Sequence, residues 1–102
     1  MTIWQKDPKT GLEWGPESKE RMTWDEAEAW CKELGGKQAK PWELCYLFHE
    51  GLEEIKVTMK GKIFWSSYDG GHTGCAWFMN FNYGLVDYVS KDSYNYARCV
   101  RP

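Results

Sequence analysis

Side chains interleave with a period of two between residues 76 and 81. Trp77, Met79 and Phe81 fall on one face of an extended chain, and Ala76, Phe78 and Asn80 on the other. That repeat is strand geometry. Asn82-Tyr83-Gly84 follows as a turn, with Gly84 free to take positive φ. Residues 85–89 are rich in β-branched and aromatic side chains and can return antiparallel. Ser90-Lys91-Asp92-Ser93 is a second turn cluster, and residues 94–100 read as a last strand. Upstream, Phe64-Trp65-Ser66-Ser67-Tyr68 reads as another. The C-terminal half is therefore expected to form a small antiparallel sheet, which the rest of the chain must cover.

The N-terminal half supplies the cover. Residues 4–6 and 12–14 can pair as a hairpin around the turn cluster Asp7-Pro8-Lys9-Thr10-Gly11. Gly15-Pro16-Glu17-Ser18-Lys19-Glu20 reads as a polar loop. A helix starts after Thr23, because Glu26 stands three residues on and completes a capping box. Trp24, Ala27, Trp30, Cys31 and Leu34 share one face of it, and Gly35-Gly36 ends it. Pro41 opens a second helix and Gly51 closes it, with Leu44, Cys45, Leu47 and Phe48 facing inward. His49 falls in its last turn, a structural position near the negative end of the helix dipole. Residues 52–62 predict a short irregular crossing, and residues 69–74 a flexible loop. The glycines of that loop do not follow a strand-to-helix pattern, so no phosphate cradle is read there. His72 reads as a solvated loop histidine.

A chain of 102 residues is one domain with a thin core, and seven Trp, six Tyr and four Phe compensate by burying a large area each. A net charge of −2 argues against a general nucleic-acid binder, although Lys91, Arg98 and Arg101 could form a local basic patch. No apolar run approaches the roughly 18 residues of a membrane span. The first residues lack the basic start and apolar middle of a signal peptide, so a cytoplasmic or phage-associated location is expected unless a signal was removed. Cysteines stand at 31, 45, 75 and 99 with no Cys-x-x-Cys pair, and His49 and His72 are far apart. Four small buried residues, one or two disulfides, and metal ligation are all open on that spacing. No nucleotide loop, metal-binding helix motif or Ser-His-Asp order is present, so neither catalysis nor a cofactor is expected.

Taken in order, the motifs are Thr10-Gly11-Leu12-Glu13-Trp14, Met22-Thr23-Trp24-Asp25-Glu26-Ala27, Trp42-Glu43-Leu44 and Phe64-Trp65-Ser66-Ser67. Ala76-Trp77-Phe78-Met79-Asn80-Phe81 and Arg98-Cys99-Val100-Arg101 complete the series. The series resembles the C-terminal domain of bacterial collagen-like adhesins. That family has a C-type lectin-like fold, related to the formylglycine-generating enzymes and to the variable proteins of diversity-generating retroelements. The resemblance implies an α+β domain, with two helices packed on a small, mainly antiparallel sheet. It also implies that Cys31 and Cys99 lie side by side and are bonded in an oxidising compartment. Many members carry Trp-Arg-Leu-Pro before the second helix, where this chain reads Lys40-Pro41-Trp42-Glu43-Leu44. The enzymes of the wider group are far longer, and their catalytic cysteines lie in segments this chain lacks.

The function the resemblance implies is a non-catalytic binding module for a protein or glycan ligand. Its contact residues are Asn80, Asn82, Tyr83, Asp87, Tyr88, Asp92, Tyr94 and Asn95, with Ser93 and Tyr96 beside them. Such residues suit a contact surface, since tyrosine brings area at small entropy cost and Asn, Ser and Asp bring adaptable hydrogen bonds. The Glu-Pro-Asn and Trp-Asn-Asp motifs of calcium-dependent sugar binding are absent, so binding is expected to be metal-independent. Two further readings stay open: a small phage or mobile-element protein docking on a host protein, and a retroelement-diversified binding protein.

Overall fold

The computed structural model describes residues 4–71 and 74–102; His72 lies outside the described residues. The N-terminal hairpin forms as expected, with β1 (Gln5–Lys6) antiparallel to β2 (Glu13–Glu17). Asp7 fastens the turn: its Oδ1 accepts the Lys9 N–H at 3.0 Å and its own N–H donates to the Leu12 carbonyl at 2.8 Å. Residues 15–17, expected as loop, belong to β2, with a register irregularity between Trp14 and Glu17. Pro16 lacks an N–H for the ladder, which favours such a break. Gly15 lies under the Trp4 ring, where an added Cβ would sit 2.8 Å from the indole.

The first helix, α1 (Trp24–Glu33), carries the expected capping box. Thr23 N–H donates to Glu26 Oε1 at 2.9 Å, and Glu26 N–H donates to Thr23 Oγ1 at 3.4 Å. Ala27 and Cys31 are buried while Trp24 and Trp30 are half-buried. Gly35, at φ +86°, turns the chain out of the helix. After β3 (Lys37–Gln38) comes α2 (Pro41–Glu50), which buries Leu44 and Leu47 and leaves His49 exposed in its last turn. The crossing expected over 52–62 contains a one-turn helix, α3 (Glu53–Lys56). Ile55 and Met59, four apart, are fully buried, and Val57 is exposed. Helical spacing decides which residues of this segment enter the core.

β4 (Ile63–Trp65), β5 (Cys75–Asn80) and β6 (Leu85–Ser90) form a three-stranded antiparallel sheet in that order. Phe64 stands opposite Met79, and Trp77 opposite Tyr88. Gly84 closes the β5–β6 turn at φ +74°, and an added Cβ would lie 2.7 Å from the Phe48 ring. Both faces of this sheet contribute residues to the core. Met79 and Phe81 pack with Phe64, Leu44, Leu47, Ile55 and Met59. Ala76 packs with Trp65, Ala27 and Ala97, flanked by Phe78 and Trp30.

The last strand is shorter than expected. Of residues 94–100, only 98–100 belong to β7 (Arg98–Arg101). Before it the chain exchanges partners between sheets. Asn95 bridges Met22, and Tyr96 bridges Phe64, accepting the Trp65 N–H at 2.9 Å and donating to the Ile63 carbonyl at 3.0 Å. β7 then enters a second antiparallel sheet, order β1-β2-β7-β3, with Trp14 opposite Val100 and Gln38 opposite Cys99. There Cys99 is bonded to Cys31 of α1, with Cα atoms 5.3 Å apart, as the resemblance implied.

The basic patch considered above does not form. Arg98 is buried, Lys91 pairs with Asp69 at 3.4 Å and lies 4.3 Å from the Trp24 ring centroid, and Arg101 pairs with Glu13 at 3.0 Å.

Candidate functional site

Apart from Asn95, the expected C-terminal contact residues run from Asn80, the last residue of β5, along β6 and the turns at its two ends. At the hairpin tip, Asn80 Oδ1 accepts the Asn82 N–H at 2.8 Å, which fastens the turn and presents Tyr83 at 70 % exposure. Along β6, Asp87 Oδ1 accepts the N–H of Tyr88 at 2.8 Å. Tyr88 is 51 % exposed and leans on Trp77, with ring centroids 5.3 Å apart. At the far end, Ser90 Oγ accepts the Asp92 N–H at 3.2 Å and Tyr94 is 61 % exposed. Asn80 thus uses its side-chain oxygen on its own turn, and Asp87 on the backbone of β6. The tyrosines are the groups held out to solvent.

Asn95 is a correction. It is 9 % exposed, and its backbone exchanges hydrogen bonds with Met22 at 2.8 and 3.0 Å, so it belongs to the junction between sheets. Tyr96 is half-buried and packs on Phe64. The sequence pattern could not separate them from Tyr94, because their partners lie more than thirty or seventy positions away.

The remaining residues are not gathered in one pocket. Six strand residues at about 3.3 Å each put roughly 20 Å between the hairpin tip and the 91–94 turn. Period two also turns Asp87 to the face opposite Tyr88. At the tip, Asn82 borders a cleft of about 280 Å³ with Phe48, Phe81, Lys56, Val57 and Lys60. At the other end, Ser93 and Tyr94 border an open depression with Lys19, Glu20, Arg21 and Tyr96. Between them Tyr68, Trp77 and Tyr88 follow one another across the sheet, since the Trp77 N–H donates to the Tyr68 carbonyl at 2.9 Å and Trp77 faces Tyr88. The Trp77 indole N–H is buried without a hydrogen-bond partner among the described residues. Tyr68 and Trp77 were missed as surface neighbours of Tyr88. The alternation in β5 put Trp77 on the correct face but could not show that the cover over this face stops short of it.

A hydrogen bond from the Gly71 N–H holds the Asp69 carboxyl below the usual carboxylate range, helped by Lys91. Burial pushes the Cys45 thiol up, which disfavours the nucleophilic thiolate. Cys45 and Cys75 are half-buried and free. Among the described residues no three His, Cys, Asp or Glu side chains converge as a metal site, and no helix is long and apolar enough to cross a membrane.

No family model and no curated protein matches the sequence. Among solved structures the chain is similar to TC14, a C-type lectin from the tunicate Polyandrocarpa misakiensis. The two align with a TM-score of 0.63 at 12% identity, over 89% of this chain and 98% of that one. The chain has a C-type lectin-like fold. At that identity the likeness speaks for the architecture alone.

Proposed function

We propose that this chain is a non-catalytic binding module, of the kind formed by the C-terminal domains of bacterial collagen-like adhesins. In this reading it recognises a protein or glycan through β6 and its flanking turns, without a metal ion. One observation carries it: Tyr83, Tyr88 and Tyr94 each expose half or more of their surface, on backbone fastened by Asn80, Asp87 and Ser90. A buried tyrosine stabilises a core; three held outward on a fixed edge offer large contact area at low ordering cost. The surface is about a strand long, which suits an extended partner better than an enclosed small molecule.

The test is a glycan array and a panel of cell-surface proteins probed with the tagged full chain, with and without chelator. Binding is expected to be indifferent to chelator and to disappear when Tyr83, Tyr88 and Tyr94 are changed together to Ser. Binding that needs calcium, or that survives the triple substitution, overturns the reading.

A further inference from the structure

A second concave surface lies away from β6. The turn between β1 and β2 faces the first turns of α2 across a groove of about 440 Å³, lined by Thr10, Leu12, Trp14, Trp42, Glu43 and Tyr46. That volume lies within the range of ligand pockets, about 300–1,000 Å³. Trp42 and Tyr46 are four apart on α2 and so are neighbours on one helix face. Leu44 and Leu47 anchor this helix in the core, yet Trp42 is 63 % exposed. Packing does not call for an indole there, since leaving it in water forgoes its burial energy. Lys40 Nζ lies 5.4 Å from the Trp42 ring centroid, and Glu43 Oε1 accepts the Lys40 N–H at 2.8 Å.

We propose that this groove binds the uncharged end residue of a saccharide, which stacks on Trp42 and Tyr46 and donates hydroxyl hydrogens to Glu43. Three properties of the lining select that ligand. An ionised carboxylate is an acceptor only, so the ligand must bring donors. A sugar ring brings several, together with an apolar C–H face for the aromatics. A proline-rich peptide would otherwise suit an aromatic groove, but it offers mostly carbonyl acceptors. Lys40 and Glu43 cancel in charge beside the groove, so neither a cation nor an anion is favoured. The Thr10 hydroxyl, which accepts the Leu12 N–H at 3.2 Å, keeps its own hydrogen to donate to a ring or hydroxyl oxygen.

The site is separate from β6, so the titration described here can fail while the β6 reading stands. The full chain, labelled with ¹⁵N, is titrated with methyl glycosides of glucose, galactose, mannose and N-acetylglucosamine. A proline-rich peptide and trimethyllysine are titrated in parallel. At least one glycoside is expected to shift the Trp42 indole resonance and the amides of residues 10–12 and 43–46. Trp42→Ala, at an exposed position that the fold does not need, is expected to weaken that binding about tenfold or more. Glu43→Gln keeps an acceptor at the start of α2 and is expected to weaken it severalfold, while Tyr94→Ala leaves it unchanged. The proposal is overturned if no glycoside shifts these resonances up to its solubility limit. It is also overturned if only the peptide or the ammonium does, or if binding persists in Trp42→Ala.

Discussion

Arg98 joins three parts of the chain through one side chain. Its Nε donates to the Gly15 carbonyl at 2.8 Å, and its Nη1 reaches the Ile55 carbonyl at 3.3 Å and Thr58 Oγ1 at 3.2 Å. Glu17 Oε1 stands 3.5 Å from the same nitrogen. Burial pulls the guanidinium pKa down from its usual range and the Glu17 charge opposes this; the group stays protonated. A buried cation is tolerable only while its hydrogen bonds are complete, so removing it strands carbonyls of β2 and of the segment after α2. Arg98→Ala is expected to lower unfolding free energy by about 3 kcal/mol, and Arg98→Lys by less, since Lys keeps the charge but loses the fork. Chemical denaturation of the two variants checks this. A loss in Arg98→Ala below about 0.5 kcal/mol would mean that the contacts contribute nothing beyond a surface change.

At the level of elements, what could be read from sequence depended on how far the deciding partner lay along the chain. The Thr23–Glu26 capping box, the 7–11 turn and the alternation over 76–81 are settled by neighbours within a few positions, and all three are present. β3 is two residues long and exists because Val100 and Cys99 pair with it, so nothing local announced it. The exchange of partners at Asn95 and Tyr96 is equally non-local, which is why a buried asparagine entered the expected contact set. Tyr83, Tyr88 and Tyr94, on and beside β6, were legible; the aromatic groove on α2 was not, because Trp42 reads as one more aromatic beside Leu44. The capping box also yields a prediction. Thr23→Ala is expected to cost about 1 kcal/mol. Hydrogen bonds from Thr23 hold the Glu26 carboxyl below the usual carboxylate range, so its folded form favours the ionised state. That contribution is complete above the unfolded value, near pH 4, and is lost as the pH falls through the lower folded value. Glu26→Gln should therefore flatten this part of the acid-side decline in stability, and an unchanged pH profile would contradict the assignment.

Over the whole molecule, the C-terminal segment closes the structure. Residues 95–96 stitch the three-stranded sheet to the approach of α1, β7 lies between β2 and β3, and Cys99 is bonded to Cys31. A cross-link over 68 positions restricts the unfolded chain strongly, contributing on the order of 4 kcal/mol in the chain-entropy picture. That closure gives the hairpin of β5 and β6 a fixed base from which Tyr83, Tyr88 and Tyr94 can project. Both proposed binding surfaces depend on it, one beside β6 and one between the N-terminal hairpin and α2. Peptide mapping of the oxidised native protein without reduction tests it most directly. The peptide containing Cys31 should be found joined to the one containing Cys99, with Cys45 and Cys75 recovered as free, alkylated thiols. A bridge from either Cys31 or Cys99 to Cys45 or Cys75 would contradict the closure and the two surfaces built on it.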